Sequence, residues 1–281
     1  MTTTTRTLTL GHSPDPDDAF MFYALAREKI DTAGWRFRHV LEDIQTLNER
    51  AMRAELDITA ISIHAYPYVA KDYVLTACGS SMGDGYGPIV VAREPMPIDA
   101  LRGATIAVPG EKTTAFLVLN LLLGRGTFRH EVVMFDQIPA RVAEGKADAG
   151  LVIHEGQLTY TDHHLHKVAD LGAWWKEQTD LPLPLGGNVI RRALGAEAMR
   201  EVSGILRRSI EYGLTHREEA VAYALDFARD MGEELADRFV GMYVNEWTVD
   251  YGPVGKRAIR ELLRQGYEAG LVPGVGDIEF V

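Results

Sequence analysis

Short apolar strands alternate with helices over the first two thirds of the chain, stop once, and start again; no other feature restricts the fold as strongly. Thr7-Leu8-Thr9-Leu10 has the period-two alternation of a half-buried strand. Gly11-His12-Ser13-Pro14-Asp15-Pro16-Asp17-Asp18 breaks it, and the apolar residues 19–26 read as a helix capped by Asp17 or Asp18. A strand near 36–40 leads to Asp43, the expected cap of a helix with Ile44, Leu47, Ala51 and Ala54 on one face. Residues 57–64 form a short strand ending in polar residues, and the glycine-dense 79–88 runs into a strand over 89–93. The pattern then restarts: strand 104–108, helix 115–123, strand 131–135, helix 138–144, strand 148–153. Such alternation predicts parallel sheets with covered faces. From Leu194 the periodicity is helical, near 196–213, 217–231, 233–244 and 254–270, with no strand in that third beyond Val189-Ile190.

With 281 residues there is chain for two domains of about 150 each. The restart after Arg93 and its end before Asn188 predict an α/β fold of two lobes around a ligand cleft, residues 1–92 plus 189–281 against 93–188. Asp and Glu number 40 against 29 Lys and Arg, a net charge of −11 spread along the chain, which disfavours nucleic acid and anionic membranes as partners. The lone cysteine, Cys78, excludes an intramolecular disulfide and any multi-cysteine metal site, and reads as a buried small residue. Residues 1–10 lack the apolar core of a signal peptide, and the apolar run 115–123 is too short to span a bilayer. A cytoplasmic protein is expected, of undetermined oligomeric state.

Ligands of open parallel sheets bind beyond the carboxyl ends of the strands. Those positions are polar throughout: His12-Ser13, Ser62 and His64, Lys112-Thr113-Thr114, Asp136-Gln137, and His154-Glu155. His154 ends an apolar strand, as either a general base working near neutral pH or a histidine bonded to a loop carbonyl. Gly110-Glu-Lys-Thr-Thr114 opens a helix and reads equally as a carboxylate or phosphate site and as a plain cap. It is not a P-loop, and Gly83-Asp-Gly-Tyr-Gly87 precedes a strand instead of opening a helix, so no nucleotide cofactor is expected. His163-His164-Leu165-His166 reads as a solvated turn, not a metal site. Trp174-Trp175 reads as core or hinge packing, with stacking on an aromatic ligand as the alternative.

Ser13-Pro-x-Pro-x-Asp18-x-Phe20, Leu41-Glu-Asp-Ile-x-Thr-Leu-Asn48, Gly110-Glu-x-Thr-Thr114, Ile153-His154-Glu155, Tyr243-Val-Asn245 and Asp250-Tyr-Gly252 together resemble the menaquinone-biosynthesis proteins of the futalosine route. The similarity is greatest to the 1,4-dihydroxy-6-naphthoate synthase branch, since the chorismate dehydratase branch lacks the Ile-His-Glu-x-x-x-x-Tyr element of 153–160. The resemblance implies a periplasmic-binding-protein-like fold of the second structural type. It also implies a lyase that opens a small anionic organic substrate, cyclic dehypoxanthine futalosine, without cofactor or metal. His154 matches the proposed base, Ser62 the cleft serine, and Thr113 and Thr114 the anion-contacting pair; Ser13, Asp18 and Gly110 complete the expected substrate-binding set. Relatives usually read Ser-Pro-Cys-Pro-Asn-Asp where this chain has Asp15 and Asp17. That departure keeps open a related enzyme with another substrate, alongside a binding protein without chemistry.

Overall fold

The computed structural model describes residues 6–227 and 232–281, so residues 1–5 and the last part of the helix expected over 217–231 lie outside the described residues. In chain order the strands are β1 (Arg6–His12), β2 (Trp35–Leu41), β3 (Ile58–Ser62), β4 (Tyr73–Leu75), β5 (Ser81–Gly83), β6 (Ile89–Ala92), β7 (Thr105–Val108), β8 (Arg129–Val132), β9 (Ala149–Val152), β10 (His166–Asp170) and β11 (Leu183–Arg191). The helices are α1 (Pro16–Ala26), α2 (Ile44–Met52), α3 (Tyr66–Val69), α4 (Thr114–Leu123), α5 (Ile138–Ala143), α6 (Gly156–Thr159), α7 (Leu171–Thr179), α8 (Ala196–Thr215), α9 (Arg217–Ala224), α10 (Glu233–Tyr243), α11 (Glu246–Val249) and α12 (Gly252–Glu268).

Two sheets result. One has the order β2-β1-β3-β11-β4 with β5 paired to β11, the other β10-β6-β9-β7-β8. Each has a parallel nucleus, β2-β1-β3 and β9-β7-β8, as the βα alternation predicts. Neither is wholly parallel: β11 runs antiparallel to β3, β4 and β5, and β6 antiparallel to β9 and β10. The antiparallel strands are the ones that carry the chain between lobes. They also move the lobe limits. Residues 89–92 pair in the second sheet and 183–188 in the first, so we place the crossings between β5 and β6 and between α7 and β11, ahead of Arg93 and Asn188.

β11 overrides its local composition. Leu183-Pro-Leu-Gly-Gly187 has the residues of a hinge, yet Gly186 and Gly187 pair with Ser62 and Ile61, and the pairing with β5 is irregular between Pro184 and Gly186. Pro184 is tolerated because it lies opposite the short edge strand β5.

Two helix starts show what a cap decides. At α2, Asp43 Oδ1 accepts from the N–H of Gln45 (3.0 Å) and Thr46 (3.1 Å), as expected, and Leu47 and Ala51 are buried beneath it. Ala54 lies past the end of α2. At α1 the expectation fails: the helix begins at Pro16, Asp15 occupies the N-cap without a side-chain capping bond, and Asp17 and Asp18 fall inside the first turn. Pro16, with its preset φ, starts the helix before either acid can cap it. Phe20, Met21, Phe22 and Leu25 are buried in the core shared with Val202, Leu206 and Ile210 of α8. On the other side Trp175 is fully buried, its Nε1–H donating to Pro182 O at 3.1 Å, so this ring is packing for the second crossing.

Candidate active site

The carboxyl ends of β1, β3 and β9 and the amino end of α4 converge on one cleft of ≈ 730 Å³, measured with its open mouth. Ser13, Asp15, Asp17, Asp18 and Ser62 line it from the first sheet and Thr113, Thr114 and His154 from beside the second. Eight residues that lie far apart in sequence thus meet here, from four segments that each follow a strand of a parallel pair.

The first wall is wired within itself. Ser13 N–H donates to Asp18 Oδ2 at 2.7 Å, and Ser13 Oγ–H donates to Asp15 Oδ2. Ser81 Oγ–H donates to Asp17 Oδ2 at 3.3 Å, whereas Asp17 Oδ1 has no hydrogen-bond partner. Burial first, then the neighbouring Asp15, pushes the Asp17 carboxyl up to about 6, against the opposing pull of His154. Burial and the Asp17 charge hold Asp18 well above the usual carboxylate range. Ser62 is fixed from α2: Asn48 Nδ2–H donates to Ser62 Oγ (3.1 Å) and Asn48 Oδ1 accepts Ser62 N–H (2.8 Å). The same Nδ2 reaches Lys112 O at 3.4 Å, so one fully buried amide joins α2, β3 and the turn before α4.

On the second wall, His154 follows β9 with φ 53°, a left-handed backbone that non-glycine residues seldom adopt. Its ring packs edge-on against Phe135 at 4.8 Å, and its Nδ1 lies 3.2 Å from Asp15 Oδ2 across the cleft. Thr113 is the N-cap of α4: its Oγ1 accepts Phe116 N–H (3.3 Å) and donates to Gly110 O (2.8 Å). Thr114 Oγ1–H donates to Leu185 O at 2.6 Å and accepts from His64 N–H at 3.2 Å. Both hydroxyl protons are thus spent inside the protein. What the turn offers an anion is the N–H end of a ten-residue helix.

Gly110 is outside the cleft lining. Its Cα packs on α2, where a Cβ would come within 2.3 Å of Gln45 Oε1, and the same amide oxygen accepts Lys112 N–H at 3.2 Å. Lys112 and His64 are likewise outside it, as are His12, Asp136, Gln137 and Glu155. His12 Nε2 meets His39 Nδ1 at 2.9 Å, and burial followed by the His39 charge lowers its pKa to about 3. His64 Nδ1–H donates to Thr113 O at 3.0 Å, and burial lowers its pKa to about 4. These two histidines stay neutral and build structure.

Sequence reasoning missed Gln157 and Tyr243 as site residues, though both line the cleft. The Gln157 amide lies 2.7 Å from Tyr243 Oη. Oriented by its surroundings, it donates to Gly87 O (2.6 Å) and accepts from His154 N–H (3.3 Å). A signal existed: Gln157 stands three residues after His154, one turn of α6 away. Among the described residues no group of three or more His, Cys, Asp or Glu side chains is arranged to hold a metal ion, and His163, His164 and His166 are exposed. Cys78 is buried, and desolvation pushes its thiol up to about 12, which makes it a poor nucleophile.

Two mixed sheets joined by two crossings, with their strand ends around one cleft, define a periplasmic-binding-protein-like fold. The alkanesulfonate-binding protein of Xanthomonas axonopodis pv. citri, solved bound to MOPS, shares it with a TM-score of 0.71 over 95% of this chain and 94% of its own; at 13% identity the likeness is one of fold alone. A sequence profile described as menaquinone biosynthesis matches residues 8–268, and the chain belongs to that family. It is 42% identical over 264 residues to the 1,4-dihydroxy-6-naphthoate synthase of Thermus thermophilus, covering 94% of this chain and 95% of the relative. A solved Archaeoglobus fulgidus protein is 44% identical with a TM-score of 0.90, covering 95% of this chain and 98% of its own. Among the described residues no helix is long and apolar enough to cross a membrane.

Proposed function

We propose that the chain is a cytoplasmic lyase that forms 1,4-dihydroxy-6-naphthoate from cyclic dehypoxanthine futalosine, with His154 as the general base. The observation that carries this reading is the His154 imidazole on the wall of the cleft, 3.2 Å from a buried carboxylate that can stabilise its charged form. The identity to the Thermus thermophilus synthase supports the choice of reaction. His154 removes a substrate proton, the electron pair left behind drives departure of the sugar-derived fragment, and that fragment recovers a proton. The cleft walls position the substrate, with the α4 N–H groups facing its carboxylate and Ser13, Asp18 and Ser62 meeting its polar groups. A substrate filling the cleft between the lobes displaces water from the carbanionic stage.

Incubation of the pure protein with cyclic dehypoxanthine futalosine, followed by mass spectrometry, tests the reading. The naphthoate is expected from the wild type and not from His154→Gln; its absence from the wild type overturns the proposal. A second reading, a related lyase with another substrate, is favoured by three buried acids, Asp15, Asp17 and Asp18, on the wall a carboxylate substrate must approach. Turnover of a hydroxyl-rich neutral analogue, with none of the futalosine, would select it.

A further inference from the structure

Asp15 sits at the N-cap of α1 with extended backbone (φ −119°, ψ 155°), and its carbonyl accepts Ala19 N–H at 2.9 Å. An aspartate there ordinarily turns its carboxylate to the N–H groups of the first turn. This one makes no such bond. Its Oδ2 instead faces Ser13 Oγ from its own loop and His154 Nδ1 from the opposite sheet. Only 1% of Asp15 is exposed, and a carboxylate so buried is tolerated only with partners that satisfy its charge.

We propose that Asp15 is the positioning residue of His154: its carboxylate accepts the Nδ1–H of the imidazole across the cleft and fixes the tautomer, leaving Nε2, which this arrangement of the lobes buries, as the nitrogen that takes the substrate proton once substrate occupies the cleft. The inference rests on His154 being the base. It explains how a residue in a rare backbone conformation keeps one ring orientation, since Phe135 packs one side of the ring and Asp15 holds its Nδ1 edge. Because the two residues hang from different sheets, the base is complete only with the lobes in this arrangement. Other charged groups near the ring are Asp17 and Asp18 on α1, Glu155 next in the chain, and Asp136 beside Phe135; a test must separate Asp15 from them.

The experiment is ¹⁵N NMR of the His154 ring in the wild type, Asp15→Asn and Asp17→Asn, run beside steady-state kinetics with cyclic dehypoxanthine futalosine. The wild-type ring is expected as the Nδ1–H tautomer at neutral pH. Asp15→Asn is expected to lower its titration by about one unit or more, since an adjacent carboxylate favours the imidazolium. Asp17→Asn should shift the titration less and leave the tautomer unchanged. In turnover, Asp15→Asn should lower kcat about 10²-fold through misorientation, with KM within about threefold and the acid limb of the kcat profile moved to lower pH. A merely structural Asp15 would lower kcat without moving that limb.

An Nε2–H tautomer in the wild type overturns the inference with no variant needed, so a variant that fails to fold leaves the test intact. Equal titration in wild type and Asp15→Asn also overturns it. A wild type inactive on this substrate counts against the proposed function alone, because the ring titration still decides the pair.

Discussion

The loop after β1 and the loop after β9 each carry strand-end polar residues into the same cleft, but they are held in different ways. In the first, Ser13, Asp15 and Asp18 bond one another within six residues, so the wall is preorganised before any ligand or second lobe arrives. In the second, His154 takes a left-handed backbone and finds its carboxylate partner on the other sheet. The charges differ as well. The first wall gathers three buried acids, while the second presents an imidazole and the positive end of α4. Binding-protein architecture explains the first kind of wall, since a fixed polar surface suffices to hold a solute. On the proposed function, the second kind, in which one functional group is finished by the facing lobe, is what a reaction adds.

The largest expected effect falls on the second wall. His154→Gln should lower kcat by about 10²–10⁴-fold, the usual contribution of a general base. Ligand affinity should stay within about tenfold, or roughly 1.4 kcal/mol, because the preorganised wall and the α4 N-terminus are untouched. Stopped turnover with intact calorimetric binding sharpens the contrast between the walls. Near-normal turnover breaks it and directs attention to Glu155.

Next in size is the joint between the lobes. Gly172 opens α7 against the first crossing, where an added Cβ would lie 1.9 Å from Tyr86 O and 2.0 Å from its carbonyl carbon. Backbone atoms cannot rotate aside as a side-chain end does. Gly172→Ala should therefore destabilise by about 1–3 kcal/mol, the range for overpacking, and lower Tm by several degrees in a thermal melt. An unchanged Tm would show that the crossing yields freely, and that the second wall does not depend on a rigid joint.

A smaller effect is expected at Thr113, whose hydroxyl caps α4. Thr113→Ala should reduce stability by about 1 kcal/mol and weaken carboxylate binding only a few-fold, since the N–H groups of the turn remain. Titration with a small dicarboxylate reads the second quantity. Complete loss of binding would mean that the hydroxyl, not the helix end, contacts the anion.

The parts of this molecule legible in the sequence are those set by local chemistry. The βα alternation gave both parallel nuclei, Asp43 its cap, and the strand-end rule placed Ser13, Ser62, Thr113, Thr114 and His154 on one cleft. The unreadable parts depend on what arrives from elsewhere in the chain. Pro184, Gly186 and Gly187 form a strand because β3 and β5 stand on either side of them. Gly110 lies outside the cleft lining, and an added Cβ there would meet the Gln45 side chain of α2, a contact from another part of the chain. From the sequence Asp17 reads as a cap of the helix and Asp15 is left without a role, whereas in the structure Asp15 occupies the N-cap position and Asp17 lies inside the first turn. The fold separates them: Asp15 meets an imidazole from the facing lobe, whereas Asp17 meets Ser81 of β5 in its own sheet.

The smallest effect concerns the histidines that the strand-end rule flagged and the cleft left out. Burial, then the His39 charge, lowers the His12 pKa from 6.5 to about 3, so the folded protein binds its proton more weakly than the unfolded chain. A depressed histidine contributes nothing above the unfolded value. As pH falls below 6.5 the unfolded chain takes up the proton and the folded one does not, so stability is lost progressively down to about pH 3. His64, lowered to about 4 chiefly by burial, acts with the same sign. Asp17, raised to about 6, acts oppositely: its burial as an anion is unfavourable at high pH, and that penalty is relieved as pH falls through about 6. Between about pH 7.5 and about pH 6 the His12 contribution is below about 1 kcal/mol, too small to read from the wild type alone against these neighbours. The difference between wild type and His12→Gln isolates it. Chemical denaturation at both pH values should find the variant losing less stability on acidification than the wild type. Equal slopes would mean that His12 gains its proton in the folded state too, and that the wall beyond β1 is less closed to water than its bonding implies.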